Sequence, residues 1–322
     1  MQSAPQAVND TRDRTYAVLD IGGTWTRAAL WHEGRLGPVL REPTPRDGVV
    51  GALARSIREL GGSPARVGVS ATGPVDPVHG RLGRVPNAAW LSDLDLRGGL
   101  AAELGLDVVV DRDTNAALLA EHAFGAGRGC GHAVYLTLST GVGGAVLEQG
   151  RLLRGHRGLA GELGHLVVQE GGPECGCGRR GCLEALASGD GLARRATAHA
   201  EAHPGSTLGR RLATVRSREG RALTGRDVAD VAEDESGDGP ATRLLDAART
   251  AFATAVVNVV NGWDPERVIV GGSIARAFPA WLAEAGRRVA EEGLVPPHGP
   301  LVVAAELGGD AELLGAGMSA DS

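Results

Sequence analysis

Between Glu162 and Glu184 the chain places one histidine and three cysteines, His165, Cys175, Cys177 and Cys182, with a carboxylate just outside the set at each end. One imidazole and three thiolates complete a tetrahedral zinc shell and leave no position for a bound water, so a metal held here is structural and not the catalyst. The Cys-x-Cys spacing is tighter than the Cys-x-x-Cys of common zinc fingers, and Gly176, Gly178 and Gly181 permit the positive φ angles such a knuckle demands. When one ring nitrogen of His165 faces zinc, the other becomes an N–H donor of fixed direction, able to meet a substrate hydroxyl. Glu162 and Glu184 either accept hydrogen bonds from such hydroxyls or are surface carboxylates beside a staple. Cys130, the fourth cysteine, reads as a small buried hydrophobe.

Two further stretches have the composition of phosphate turns. In Asp20-Ile21-Gly22-Gly23-Thr24 the glycines let backbone N–H groups approach phosphate oxygens, Thr24 adds a hydroxyl, and Asp20 can hold magnesium through water. Alone, this run is equally an ordinary glycine hairpin. Its counterpart, Ser139-Thr140-Gly141-Val142-Gly143-Gly144, again falls between two expected strands, and the pair together favours a nucleotide site. Gly271-Gly272-Ser273 follows a buried strand and opens a helix, which would make it a third element, under the nucleoside. Asp113, in Val110-Asp111-Arg112-Asp113-Thr114-Asn115, lies where a strand gives way to a helix. Transfer of a γ-phosphoryl group to an alcohol needs a carboxylate at the attacking hydroxyl, and Asp113 is the candidate base; by local sequence alone it is equally a helix N-cap.

These groups need strands and helices to hold them. Tyr16–Asp20 and Thr26–Trp31 read as an antiparallel strand pair, with a weaker strand near Val39 and Leu40. Asp47 is placed to cap a helix carrying Val49, Val50, Leu53, Ile57 and Leu60 on one face, and Gly61-Gly62 ends it. A strand at Arg66–Ala71, a helix at Leu96–Leu104, a strand at Val108–Val110 and a helix from about Thr114 follow. A second series begins with strands at Ala133–Leu138, Gly143–Glu148 and His165–Gln169. From Leu183 to Gly262 the chain is largely helical, with loops at His203–Ser206 and Glu233–Pro240. A strand at Arg267–Val270, a helix through about Glu292, a strand at Leu301–Ala304 and a helix from Asp310 complete the chain. The pattern predicts an α/β protein of two related lobes, each opening with a meander, with a cleft between them. The expected division is a flexible tail at 1–15, a small lobe at 16–117 plus 308–322, and a large lobe with the zinc site at 118–307.

The 322 residues are 43% apolar, enough for such cores. The net charge is −6, with 33 basic residues scattered among 39 acids, so no electrostatic footprint for nucleic acid exists. All the basic residues are arginine. That excludes the P-loop lysine, the Schiff-base lysine and the protein-kinase strand lysine together. With no secretory h-region and no long apolar run, neither export nor a membrane span is expected, and clustered thiols suit a reducing cytoplasm.

Taken together, Asp20–Thr24, Gly73-Pro74-Val75-Asp76, Pro86-Asn87, Asp113-x-Asn115-Ala116-Ala117, Thr140–Gly144, Glu162-x-x-His165 and the cysteine knuckle resemble the ROK family of sugar kinases and sugar-responsive repressors, over about residues 16–318. The resemblance implies a two-lobed actin-like, ribonuclease-H-like fold and ATP-dependent phosphorylation of a hexose, generally at the 6-hydroxyl. It implies Asp113 as base, and Asn87, Glu162, His165 and Glu184 as partners of sugar hydroxyls. It also implies ATP, Mg2+ and structural Zn2+ as bound groups, and a homodimer or homotetramer.

Two positions depart from the family pattern. Asparagine, which contacts mid-ring hydroxyls, typically precedes the catalytic aspartate; here Arg112 stands there, a donor only and charged. Ser273 replaces a common third glycine. Arg112 therefore points to a modified hexose, with 3-amino-3-deoxyglucose the favoured amino sugar, its uncharged amine accepting from Arg112. A sugar-sensing regulator would carry a helix-turn-helix domain, for which the 15 residues ahead of the first strand leave no room. A catalytically silent sugar-binding protein remains the competing expectation.

Overall fold

The structure, a computed structural model, describes residues 15–85, 88–235, 237–294, 299 and 301–322. The expected tail therefore lies, except for Thr15, outside the described residues, as do Asn87 and His298. The first part of the chain runs β1 (Tyr16–Ile21), β2 (Trp25–His32), β3 (Arg35–Leu36), β4 (Leu40–Pro43), α1 (Val49–Glu59), β5 (Arg66–Ala71), α2 (Leu96–Leu104), β6 (Asp107–Arg112) and α3 (Asp113–Phe124). The second runs β7 (Ala133–Leu138), β8 (Val142–Glu148), β9 (Arg151–Leu152), α4 (Leu183–Ala187), α5 (Gly189–Ala202), α6 (Thr207–Glu219), α7 (Gly225–Asp234), α8 (Pro240–Trp263), β10 (Arg267–Gly271), α9 (Ser273–Ala277), α10 (Pro279–Glu292), β11 (Val302–Ala304) and α11 (Ala311–Asp321). Two compact units result. Unit one holds the chain to Ala120 with His156–Leu159 and Gly309–Ser322, and unit two holds Glu121–Gly155 and Ala160–Gly308.

Unit one is built on β1, whose residues alternate between two cores as a strand period of two requires. Ala17, Leu19 and Ile21 join Leu53 and Ile57 of α1 and Leu100 of α2, whereas Tyr16 and Val18 join Trp31 and α11 residues Leu313, Ala316 and Ala320. The sheet order is β3-β2-β1-β5-β6, with β4 also paired to β2. β1 runs antiparallel to β2 and parallel to β5, which runs parallel to β6. This leaves the C-terminal ends of β1, β5 and β6 at one edge, where Asp20 and Asp113 emerge.

Unit two repeats that succession as β9-β8-β7-β10-β11, with an antiparallel hairpin on one side of β7 and parallel strands on the other. Val134, Leu136 and Leu138 of β7 pack against Phe252, Val256 and Val259 of α8 and Leu282, Ala285 and Val289 of α10. Helices α5, α6 and α7 close over a smaller core of Ala196, Leu208, Leu212, Val215 and Val228. No helix among the described residues is long and apolar enough to cross a membrane.

Several local expectations change. The cap of α1 is Gly48, in the left-handed conformation, and Asp47 makes no side-chain cap. His165–Gln169 is not a strand: Leu163–His165 forms a 3-10 turn and Val167 makes a single bridge to Cys182, because the segment pairs with the cysteine knuckle and not with the sheet. The helix after Gly272 breaks at Phe278 into α9 and α10, since Pro279 has no N–H to continue the ladder.

Candidate functional site

In unit one the glycine turn between β1 and β2 is tied down by the residue after β4. Thr44 donates its N–H to the Thr24 carbonyl (2.9 Å) and its hydroxyl to the Gly22 carbonyl (2.7 Å). The Gly22 N–H is used inside the turn, donating to the Trp25 carbonyl at 3.0 Å, so a phosphate would meet the other groups of this turn. Asp20 is the penultimate residue of β1, not a turn residue. Its Oδ2 accepts from Arg27 Nε (3.0 Å) and from a terminal guanidinium nitrogen (2.7 Å), and its Oδ1 accepts from the Ser70 hydroxyl (3.1 Å). A carboxylate oxygen has two lone pairs, so these bonds leave room for a metal-bound water, with the Arg27 charge weakening the attraction.

Asp113 is the first residue of α3, one earlier than expected, and its Oδ1 accepts the Thr114 N–H at 2.7 Å. Its neighbours are hydrogen-bonded to one another. Asp111 Oδ1 accepts from the Arg112 N–H (2.8 Å) and from Asn115 Nδ2 (2.6 Å), while the Arg112 guanidinium donates to Asn115 Oδ1 (3.2 Å). Arg112 is 3% exposed, so its charge lies inside the start of α3 instead of spreading over the surface.

Glu312, in the first turn of α11, has no counterpart in the sequence reading. Arg27 reaches its Oε2 at 3.1 Å while also holding Asp20, and bonds the Gly309 carbonyl. Burial first, then the charges of Asp20 and more weakly Asp113, push the Glu312 carboxyl up to about 7 despite Arg27. Two carboxylates, Asp20 and Glu312, thus share one guanidinium at the edge where the strands end, with the Asp113 charge close enough to act on Glu312. No local pattern could have revealed this, because Arg27 and Glu312 lie 285 residues apart.

In unit two the ligand atoms of His165, Cys175, Cys177 and Cys182 lie within 4.8 Å of one another. Cys175 Sγ is 3.6 Å from His165 Nδ1, and Cys177 Sγ is 3.8 Å from Cys182 Sγ. Tetrahedral zinc with metal–sulfur and metal–nitrogen lengths of about 2.3 and 2.05 Å requires separations of about 3.8 Å between sulfurs and about 3.6 Å between sulfur and nitrogen. The knuckle therefore fits zinc, with Nδ1 as the metal-side nitrogen and Nε2 left as the outward donor. Burial pushes the Cys175 thiol up to about 12 and raises that of Cys182, so thiolates here call for a cation.

The turn between β7 and β8 stands beside this knuckle. The Glu184 carboxylate accepts the Val142 N–H at 3.2 Å and lies 3.7 Å from Cys175 Sγ, so it joins the two features. On the other side of the turn, Ser139 and Thr140 line a cavity of about 320 Å³ together with Asp190, Thr224, Arg226 and Ser273. The Ser139 and Ser273 hydroxyls are 3.2 Å apart, which joins the Gly271-Gly272-Ser273 junction to the turn. The α7 side of the cavity is fixed by a capping box between Thr224 and Asp227. Burial opposes ionisation of Asp227, but Arg221, Thr224 and Arg211 hold its carboxyl well below the ordinary carboxylate range.

The ROK family pattern matches residues 16–321. The chain belongs to the ROK family. It is 34% identical over 308 residues to a glucokinase of Thermotoga maritima, covering 92% of this chain and 94% of that protein. It is 33% identical to an N-acetylmannosamine kinase of Citrobacter koseri, over 94% of this chain and 97% of the relative. In three dimensions it resembles a ROK family glucokinase from Streptomyces griseus in complex with glucose and AMPPNP, with a TM-score of 0.75, 32% identity and coverage of 95% and 99% of the two chains.

Within this ROK chain the structure brings His165, the three cysteines, Glu184, Thr140 and Gly141 together in unit two, and Asp20 and Asp113 to one edge of unit one. Glu162 is the residue immediately before the 3-10 turn that carries His165. Sequence reasoning missed the cavity wall at Asp190 and at Thr224–Arg226. Ser188 and Thr224, each bonding a backbone N–H three residues on, were the available signals for helix starts there.

Proposed function

We propose that this protein is an ATP-dependent sugar kinase that phosphorylates the 6-hydroxyl of glucose or of a modified glucose, with Asp113 as general base. The reading rests most on Asp113 itself: a half-buried carboxylate at a strand end, opening a helix, oriented by the Thr114 N–H, in a chain whose ROK relatives include glucokinases. In the proposed step the sugar oxygen attacks the γ-phosphorus as its proton passes to Asp113; the new O–P bond forms as the bond to the β-phosphate oxygen breaks, and ADP leaves. The fold supports this as a ribonuclease-H-like arrangement present twice, as in actin-like kinases.

Thr140 and Gly141 would hold ATP phosphates in unit two, with Gly271 and Gly272 beside the nucleoside cavity. Gly22, Gly23, Thr24 and Asp20 would serve the phosphates and magnesium in unit one. Magnesium, when bound with ATP, offsets the charge of the phosphates. Zinc in the knuckle would fix the His165 ring, leaving Nε2 to donate to a sugar hydroxyl, while Asn87, Glu162 and Glu184 accept or share hydroxyl hydrogen bonds. Arg112 brings donors and charge where the family pattern has asparagine, which favours an acceptor such as the uncharged amine of 3-amino-3-deoxyglucose.

The test is ADP release from Mg-ATP across hexoses and amino-hexoses, run with the natural protein and with Arg112→Asn. Turnover with a hexose or amino-hexose supports the kinase. Sugar binding without turnover on any sugar supports a silent sugar-binding protein instead. An unchanged ratio of kcat/KM between glucose and amino sugars in Arg112→Asn removes Arg112 from substrate choice.

A further inference from the structure

We infer that the metal knuckle anchors the phosphate turn at 139–142, and that Glu184 is the positioning residue joining the two; this rests on the reading of that turn as a nucleotide site. Two arms leave the knuckle, and both end on the turn. The first leaves His165. Its neighbour Gly164 is pressed so closely on Val142 that a side-chain carbon there would overlap the Val142 carbonyl, so the turn cannot move without moving the His165 segment. The second leaves Cys182 as α4. Glu184 takes the Val142 N–H at 3.2 Å, and a side chain at Gly141 would come within 2.9 Å of the same carboxylate oxygen.

At the end of α4 the chain returns to the turn again. Gly189 donates to the Ser139 carbonyl (2.8 Å) and Asp190 to the Thr140 carbonyl (3.1 Å). Gly141 and Val142 are thus bonded to, or packed against, residues within two positions of a metal ligand, and Ser139 and Thr140 are bonded by residues seven and eight positions beyond Cys182, across α4. The arms also bond each other, through Val168 N–H to the Gly181 carbonyl and Leu183 N–H to the Leu166 carbonyl, both at 2.9 Å. The stretch between them is mostly turns, and closing such a loop costs conformational entropy that a metal cross-link offsets. The metal therefore sets where the turn's groups stand, as well as holding the fold.

The test is calorimetric titration of a non-hydrolysable ATP analogue with magnesium, without sugar, into three preparations of the full chain: zinc-loaded, zinc-depleted, and zinc-loaded Glu184→Ala. Zinc content and far-UV circular dichroism are measured alongside. The expected result is affinity lower by about tenfold or more both in depleted protein that keeps its fold and in Glu184→Ala that keeps its zinc, the scale of one hydrogen bond to a charged acceptor. Zinc should rescue the first and not the second, and Glu184→Gln, which keeps an acceptor for Val142, should recover most of the affinity. Affinity in Glu184→Ala equal to the natural protein's overturns the inference. If depletion unfolds the chain, Glu184→Ala decides alone. Failure of the natural zinc-loaded protein to bind the analogue at all overturns the nucleotide reading, and the inference with it.

Discussion

Replacing Glu312 by glutamine should stabilise unit one, most at alkaline pH. Glu312 shares Arg27 with Asp20, at 3.1 Å against 2.7 Å, and its side chain is 26% exposed. Burial and the Asp20 charge outweigh Arg27, so its carboxyl rises from an ordinary 4.5 to about 7. Below 4.5 the group is protonated whether the chain is folded or unfolded, and stability is full. As pH rises towards 7 the unfolded chain ionises while the folded one holds its proton, so stability is progressively lost, and above 7 the loss is complete. The gap corresponds to about 3 kcal/mol at the upper end, and to about 1 kcal/mol near pH 5.5. Glutamine keeps the volume and an acceptor for Arg27 but does not ionise, so it escapes this loss. The assay is urea unfolding at about pH 5.5 and pH 8 followed by fluorescence, with Trp31, buried beside Leu313 and Ala316 of α11, as the local reporter. A variant no more stable than the natural chain at the higher pH, with a difference that does not change with pH, would mean that Arg27 fully compensates the burial. The argument would then fail.

Asp113→Asn should lower kcat by at least ~10²-fold with zinc content unchanged, the usual scale for a general base; near-normal turnover removes Asp113 from the mechanism. Gly315→Ala should cost about 1–3 kcal/mol or more in urea unfolding, because the added carbon would land on the Ala116 carbonyl where α11 meets α3; no loss would mean that this contact is looser than described. Asp227→Ala removes the buried carboxylate of the Thr224 capping box, which also accepts from the partly exposed Arg211 and Arg221, and should cost about 1–2 kcal/mol by the same measurement, the scale of a lost helix cap. For the natural chain the stability from Asp227 is present above its ordinary 3.8 and is lost only as pH falls through the lower folded value, which acid titration of unfolding will check.

Much of the fold was legible because period and punctuation agree locally. Arg66–Ala71, Leu96–Leu104 and Ala133–Leu138 are runs whose burial pattern follows directly from residue type, with turn residues at their ends. The segment at 165–169 misled for a related reason. Leu166-Val167-Val168 has strand composition, but the knuckle supplies its backbone partners, and composition does not say which partner a strand-like run will find. The break at Phe278 is legible in Pro279, which lacks the N–H that would continue the helix.

The sequence by itself determined the cluster of one histidine and three cysteines that could hold a metal, the two glycine turns, the alternation of strands and helices, and the absence of any lysine. These are properties of residue type and short spacing, which local stereochemistry translates directly. Only the tertiary structure decided what the charged side chains touch. Arg112 turns back onto Asn115, Arg27 is divided between Asp20 and Glu312, and Glu184 holds Val142 while standing beside Cys175. Long polar side chains have many rotamers and take the partner that burial leaves them. Most of these partners come from distant parts of the chain, and only folding brings them within reach.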